Sequence, residues 1–105
     1  MNDILTKLNR VLKDRKNKDP EESYVASLYK KGLDHTCNKI EEEANELVNA
    51  LENENKERII SEAADLWFHS LVALSMKNLS SDDILNELNK RFGISGHEEK
   101  NNRNA

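Results

Sequence analysis

The chain has 105 residues, which fits one domain with a modest core. It is 34% charged and 36% hydrophobic, with a formal net charge of -4. That balance argues against a general nucleic-acid binder. Its single cysteine, Cys37, has no internal disulfide partner, which points to a reducing compartment and an ordinary thiol on a helix. The N-terminal stretch lacks a continuous apolar segment, so it does not read as a secretory signal. The longest apolar-rich run, Ala63 to Met76, contains Asp65 and His69 and is too short to span a bilayer.

Taken in order, Ile4, Leu5, Leu8, Val11 and Leu12 recur at steps of three and four, which marks a first amphipathic helix. It runs into a basic segment around Asp14, Arg15, Lys16 and Lys18, either a solvated helix end or an anion contact. Asp19-Pro20-Glu21-Glu22 predicts the start of a second helix, with Asp19 as cap and Pro20 at the first helical position. Tyr24, Val25, Leu28 and Tyr29 give that helix its apolar surface, and Gly32 can end it.

A third helix is expected from about Asp34, which can cap it, to Asn53. At roughly 100° per residue, Ile40, Ala44, Leu47 and Leu51 form its apolar stripe. Glu43 and Glu46 fall on one flank of that stripe, with Glu42 a little farther round and Glu41 on the opposite flank. Lys39 precedes Glu43 by four residues and shares the acidic flank. A short polar connection, Glu52 to Glu57, then predicts an antiparallel hairpin with a fourth helix over about Lys56–Lys77. On that helix Glu62, Asp65 and His69 share a face, while apolar residues occupy nearly all the rest. A helix apolar almost all round requires burial on several sides, which in a small chain implies contact with a second subunit. Ser80-Ser81-Asp82-Asp83 begins a fifth helix ending near Arg91 or Phe92, and residues 93–105 read as an irregular tail of one single domain. The expected fold is therefore all-α: an antiparallel bundle of about four to five helices whose core is completed by dimerisation.

Glu43 and Glu46 on one arm of the hairpin can face Glu62 and Asp65 on the other. Carboxylates gathered beside apolar surface are costly unless a cation joins them. Oxygen donors without thiols suit a hard cation, Mg²⁺ or Mn²⁺. The alternative is a pair of acidic, solvated helices, a serious one in a chain with 20 Asp plus Glu. Four carboxylates repel a polyphosphate, so they serve one only through bridging metal ions, with basic groups holding the remaining charge.

The signature E-E-x-x-E followed by E-x-x-D stands here as Glu42-Glu43-Ala44-Asn45-Glu46 and Glu62-Ala63-Ala64-Asp65. It resembles the all-α nucleoside-triphosphate pyrophosphohydrolase superfamily. Four flanking blocks narrow the resemblance to the phosphoribosyl-ATP pyrophosphatase family. They are D-R-K at Asp14 to Lys16, P-E-E-S-Y-V-A-S-L-Y-K-K-G at Pro20 to Gly32, A-A-D-L-W-F-H at Ala63 to His69, and G-I-S-G-H-E-E-K-N-N-R at Gly93 to Arg103. Where the family usually carries Gly just before the paired acids, this chain has Glu41, which points away from the metal flank.

The resemblance implies hydrolysis of 1-(5-phosphoribosyl)-ATP to 1-(5-phosphoribosyl)-AMP and pyrophosphate, the second step of histidine biosynthesis. It further implies a Mg²⁺-dependent, cytoplasmic, dimeric enzyme, with Mn²⁺ as a possible substitute. The cyclohydrolase of the next step, fused to this unit in some organisms, would come from another chain. Glu43, Glu46, Glu62 and Asp65 match the superfamily's metal-binding positions. Glu42 is the candidate to orient or deprotonate the attacking water, or else a further ligand. Arg15, Lys16, Lys39, Lys100 and Arg103 are candidate phosphate contacts. Lys39 could instead pair with Glu43, Tyr24 either touches substrate or fixes the second helix, and His69 packs or supports a ligand. No nucleic acid or membrane partner is expected. Two other readings use the same residues: a broader nucleoside-triphosphate pyrophosphohydrolase, or a helical interaction module without activity.

Overall fold

A computed structural model describes residues 3–93. They form five α-helices: α1 (Ile4–Arg15), α2 (Tyr24–Lys31), α3 (Leu33–Asn53), α4 (Lys56–Met76) and α5 (Ser81–Phe92). No strand occurs among the described residues, and none of the helices is long and apolar enough to cross a membrane. Lys100, Arg103 and the tail block that contains them lie outside the described residues.

The most extensive pairing joins α3 and α4 as the expected hairpin, and α2 packs on both. Asn55 closes the turn by accepting a hydrogen bond from the Arg58 N–H at 3.0 Å, which satisfies one open donor of the α4 N-terminus. At the other end Asn78 takes the left-handed conformation, φ 61°, and the Leu79 N–H returns to the Leu74 carbonyl at 2.9 Å. That closure stops α4 at Met76, one residue before the predicted end. Ser80 then caps α5 reciprocally: its N–H donates to Asp83 Oδ2 at 2.9 Å and its Oγ accepts from the Asp82 N–H at 3.2 Å.

Two further boundaries differ from the sequence reading, the starts of α2 and α3. Asp19 does cap a turn, taking the Glu21 N–H on its side chain at 3.0 Å and the Glu22 and Ser23 N–H groups on its carbonyl. That turn is spent before the helix begins, because Ser23 is extended (φ -133°, ψ 123°) and caps α2 itself, accepting from the Ala26 N–H at 3.2 Å. Helix α2 therefore starts at Tyr24 rather than near Pro20. At its far end Gly32, with φ 96°, both terminates α2 and caps α3, so the two helices meet at one residue. A Cβ at Gly32 would meet nothing within 4 Å, so glycine is needed there for its backbone angle and not for space.

The buried core lies between α1, α2 and α4: Leu12, Val25, Leu28, Leu71 and Val72, flanked by Leu5, Leu8, Tyr29, Phe68, Leu74 and Met76. On α3 only Thr36 and Ala50 are fully covered, and the expected stripe residue Leu51 is 60% exposed. Trp67 on α4 is 64% exposed. Helix α5 packs against α1 and leaves Ile84, Leu85 and Leu88 partly in solvent. With Leu66, Trp67 and Leu74 of α4, these side chains line an apolar groove of about 380 Å³.

Candidate active site

The α3–α4 hairpin sets the acidic residues of the two arms against each other. Glu62 is buried (4% exposed) and Glu43 is largely covered, whereas Glu42, Glu46 and Asp65 are exposed. Arg58 approaches Glu62 Oε1 at 2.5 Å and also reaches Glu54 at 3.4 Å. An open cleft of about 400 Å³ lined by Glu46, Glu54, Arg58 and Glu62, with Asn45 and Asn49, lies beside them.

The carboxylates interact strongly. Burial raises the Glu43 carboxyl above its ordinary value of 4.5, and the charge of Asp65 adds to this, while His69 and Lys39 oppose it. Glu62 is raised first by a hydrogen bond shared with the Glu46 carboxyl, then by burial and by the charges of Glu46 and Asp65, with Arg58 opposing. A hydrogen bond between two carboxyls requires a proton between them. When both are ionised, Glu62 Oε2 is a buried oxygen without a hydrogen-bond donor, and Glu43 Oε1 is likewise without one. Buried, unpaired carboxylate oxygens of this kind need a proton or a cation.

His69, 6% exposed, joins three helices. Its Nδ1 contacts the Asp65 carbonyl at 3.1 Å. A carbonyl only accepts, so Nδ1 carries the hydrogen. Glu43 Oε1 lies 2.7 Å from the same nitrogen, outside hydrogen-bond alignment. On the other side of the ring, Nε2 meets the Tyr24 hydroxyl at 2.7 Å.

The structure thus brings Glu43, Glu46, Glu62 and Asp65 within electrostatic reach of one another, with Tyr24 tied to their edge. It does not gather them around one point: among the described residues no group of three or more His, Cys, Asp or Glu side chains could hold a metal ion as placed. Glu42 sits at the rim, and Lys39 approaches it at 4.0 Å rather than pairing with Glu43. Arg15 is exposed at the end of α1. Lys16 is elsewhere, its Nζ 5.7 Å from the centre of the Tyr29 ring. The Tyr29 hydroxyl bonds Ser75, which is about 15 Å of helix rise beyond Asp65. Arg58 escaped the sequence reading, although its position four residues before Glu62 is ion-pair spacing.

Comparison with known proteins adds the substrate side. Residues 5–92 match the family model described as phosphoribosyl-ATP pyrophosphohydrolase. The chain is 56% identical over 106 residues to the phosphoribosyl-ATP pyrophosphatase of Hydrogenovibrio crunogenus, an alignment covering 97% of this chain and 94% of that one. It is 50% identical over 104 residues to the phosphoribosyl-ATP pyrophosphatase of Ruthia magnifica, covering 99% of each. The protein of that name from Methylococcus capsulatus is 50% identical over 101 residues, covering 96% of each. The chain belongs to the phosphoribosyl-ATP pyrophosphohydrolase family.

Proposed function

We propose that this chain hydrolyses the phosphoanhydride of 1-(5-phosphoribosyl)-ATP, with water as co-substrate, to give 1-(5-phosphoribosyl)-AMP and pyrophosphate in histidine biosynthesis. The observation that carries this reading is the near full-length identity with phosphoribosyl-ATP pyrophosphatases, in a chain that folds a hairpin of interacting carboxylates. The setting would be cytoplasmic.

Glu43, Glu46, Glu62 and Asp65 are the residues that would hold Mg²⁺, or Mn²⁺ in its place. Their all-oxygen donor set suits a hard cation. The two buried carboxylate oxygens without donors supply the electrostatic demand for one. Glu46 and Asp65 are exposed, so packing does not fix their side chains in their present orientations. When bound, the cation supplies charge neutralisation across the substrate's phosphate oxygens.

The chain's own groups do the rest. Glu42, exposed beside the cluster, orients the attacking water and accepts its proton. Lys39, held near Glu42, faces the phosphate charge from the rim. Arg15 and Lys16, with Lys100 and Arg103, are the proposed contacts for the substrate's other anionic groups. The distance of Lys16 from the carboxylates suits an end of the substrate remote from the scissile bond.

The active form is a homodimer. Trp67, Ile60, Leu51 and Val48 on the hairpin are each more than half exposed, and the apolar groove between α4 and α5 adds further unburied surface. Exposed apolar surface of this extent marks an association site.

The test is pyrophosphate release. With Mg²⁺ present, phosphoribosyl-ATP should be turned over with kcat/KM well above that for dCTP, dUTP or ITP. A preference for those ordinary triphosphates would transfer the chain to a broader nucleotide-clearing role, and no release from any substrate would leave an interaction module.

A further inference from the structure

We propose that Tyr24 and His69 form a positioning relay that holds the Glu43 carboxylate ready for the cation. This rests on the metal reading of the carboxylates given above. Three helices contribute one member each: Tyr24 opens α2, Glu43 lies in α3 and His69 in α4. The relay is therefore assembled only by the folded bundle.

His69 is suited to orient another group. Its ring stands edge-on to Tyr24, with centroids 5.8 Å apart at 88°, and edge-on to Phe68, at 5.0 Å and 79°. Those contacts fix the ring plane. The Asp65 carbonyl, one turn earlier on α4, fixes the tautomer by taking the Nδ1 hydrogen at 3.1 Å. Nε2 is then left to accept from the Tyr24 hydroxyl at 2.7 Å, so both ring nitrogens are committed. The committed Nδ1 edge lies 2.7 Å from Glu43 Oε1.

A glutamate side chain has three rotatable bonds, and its carboxylate would otherwise sample several directions in an acidic cluster that repels it. The positive Nδ1–H edge of His69 gives it one preferred direction, and Tyr24 keeps that edge from swinging away. The same imidazole is tied to the Asp65 backbone carbonyl, so its Nδ1 edge is fixed to α4 beside the α3 carboxylate. Partners of this kind, one shell removed from the cation, typically change affinity by about 10–100-fold when lost.

Two amides separate this role from plain packing. In His69→Asn the side-chain nitrogen falls near the Nδ1 position, keeping the donor to the Asp65 carbonyl and an N–H edge beside Glu43. In His69→Gln it falls near Nε2, keeping the Tyr24 side and losing the Glu43 side. The readouts are the Mg²⁺ concentration that half-saturates thermal stabilisation of the protein, and the Mg²⁺ dependence of turnover. H69N should stay within a few-fold of the unmodified chain, and H69Q should need about 10–100-fold more Mg²⁺. Tyr24→Phe, which keeps the ring and removes only the hydroxyl, should fall between them. At saturating Mg²⁺ the kcat of H69Q should largely return with KM for phosphoribosyl-ATP unchanged. Equal Mg²⁺ requirements in H69N and H69Q would overturn the relay, and so would a raised KM in H69Q that persists at saturating Mg²⁺. An unmodified chain that Mg²⁺ neither stabilises nor activates would overturn the metal reading itself.

Discussion

Trp67 offers a sharp perturbation of the proposed dimer. It is the only tryptophan of the chain, it is 64% exposed, and it borders the apolar groove with Leu66, Leu74, Ile84, Leu85 and Leu88. A tryptophan side chain carries up to about 250 Å² of surface, so about 160 Å² of indole lies in solvent in the single chain. At about 25 cal/mol per Å² its burial in an interface contributes about 4 kcal/mol, and twice that for the two copies of a two-fold dimer. Ordering costs reduce this, yet if only half remains, loss of both indoles weakens the dimer by roughly three decades in Kd. Trp67→Glu adds an unpaired charge to the same surface. Sedimentation velocity at micromolar concentration should find a dimer for the unmodified chain and a monomer for the variant. The lone indole provides a second readout, since its emission should be that of a buried ring in the dimer and should shift red on dilution. A stable monomer with solvent-exposed indole emission in the unmodified chain would refute the reasoning.

Further expectations concern the site and the core. Glu46→Gln and Asp65→Asn should each abolish pyrophosphate release while circular dichroism shows helical content nearly unchanged, because both residues are exposed. Wild-type turnover in either variant would remove that residue from the cation set. The raised Glu43 and Glu62 carboxyls give the metal-free protein a definite pH dependence. The folded state binds their protons more tightly than the unfolded chain does, so this contribution is full below the ordinary glutamate value of 4.5 and is lost as pH rises through the folded values. The melting temperature of Glu62→Gln, which cannot ionise there, should therefore gain on the unmodified metal-free chain as pH rises above the ordinary glutamate value of 4.5, and Mg²⁺ should close the gap by stabilising only the latter. A gap independent of pH would contradict the assignment. Leu28→Ala opens a void at a fully covered core position and should cost about 2–5 kcal/mol of stability by urea denaturation, against little effect for the same change at exposed Leu51.

The helices were legible because their apolar residues recur at three and four, and because α5 carries its own capping box in Ser80 and Asp83. The α2 start was not, since Asp19 and Pro20 carry helix-start chemistry whether the turn they begin continues or resets. Only the extended backbone of Ser23, set by the chain's path into the bundle, decides that. Spacing placed the acids on opposing arms but could not show that Glu62 is buried while Glu46 is exposed, since both lie on flanks that face the other arm. Lys39 illustrates the limit of spacing from the other side: both Glu42 and Glu43 are within its reach along one helix, and the contact to His69 from α4 leaves Glu42 as its nearer partner. Tyr24–His69 pairing spans 45 residues of sequence, and no local pattern announces it.

The account stands most directly on the position of the cation. Crystals grown with Mn²⁺, examined at wavelengths where manganese scatters anomalously, would locate it without reference to activity. The expected peak lies between α3 and α4, with oxygens of Glu43, Glu46, Glu62 and Asp65 drawn in to about 2.1 Å. A peak elsewhere, with these four carboxylates left bare, would contradict it.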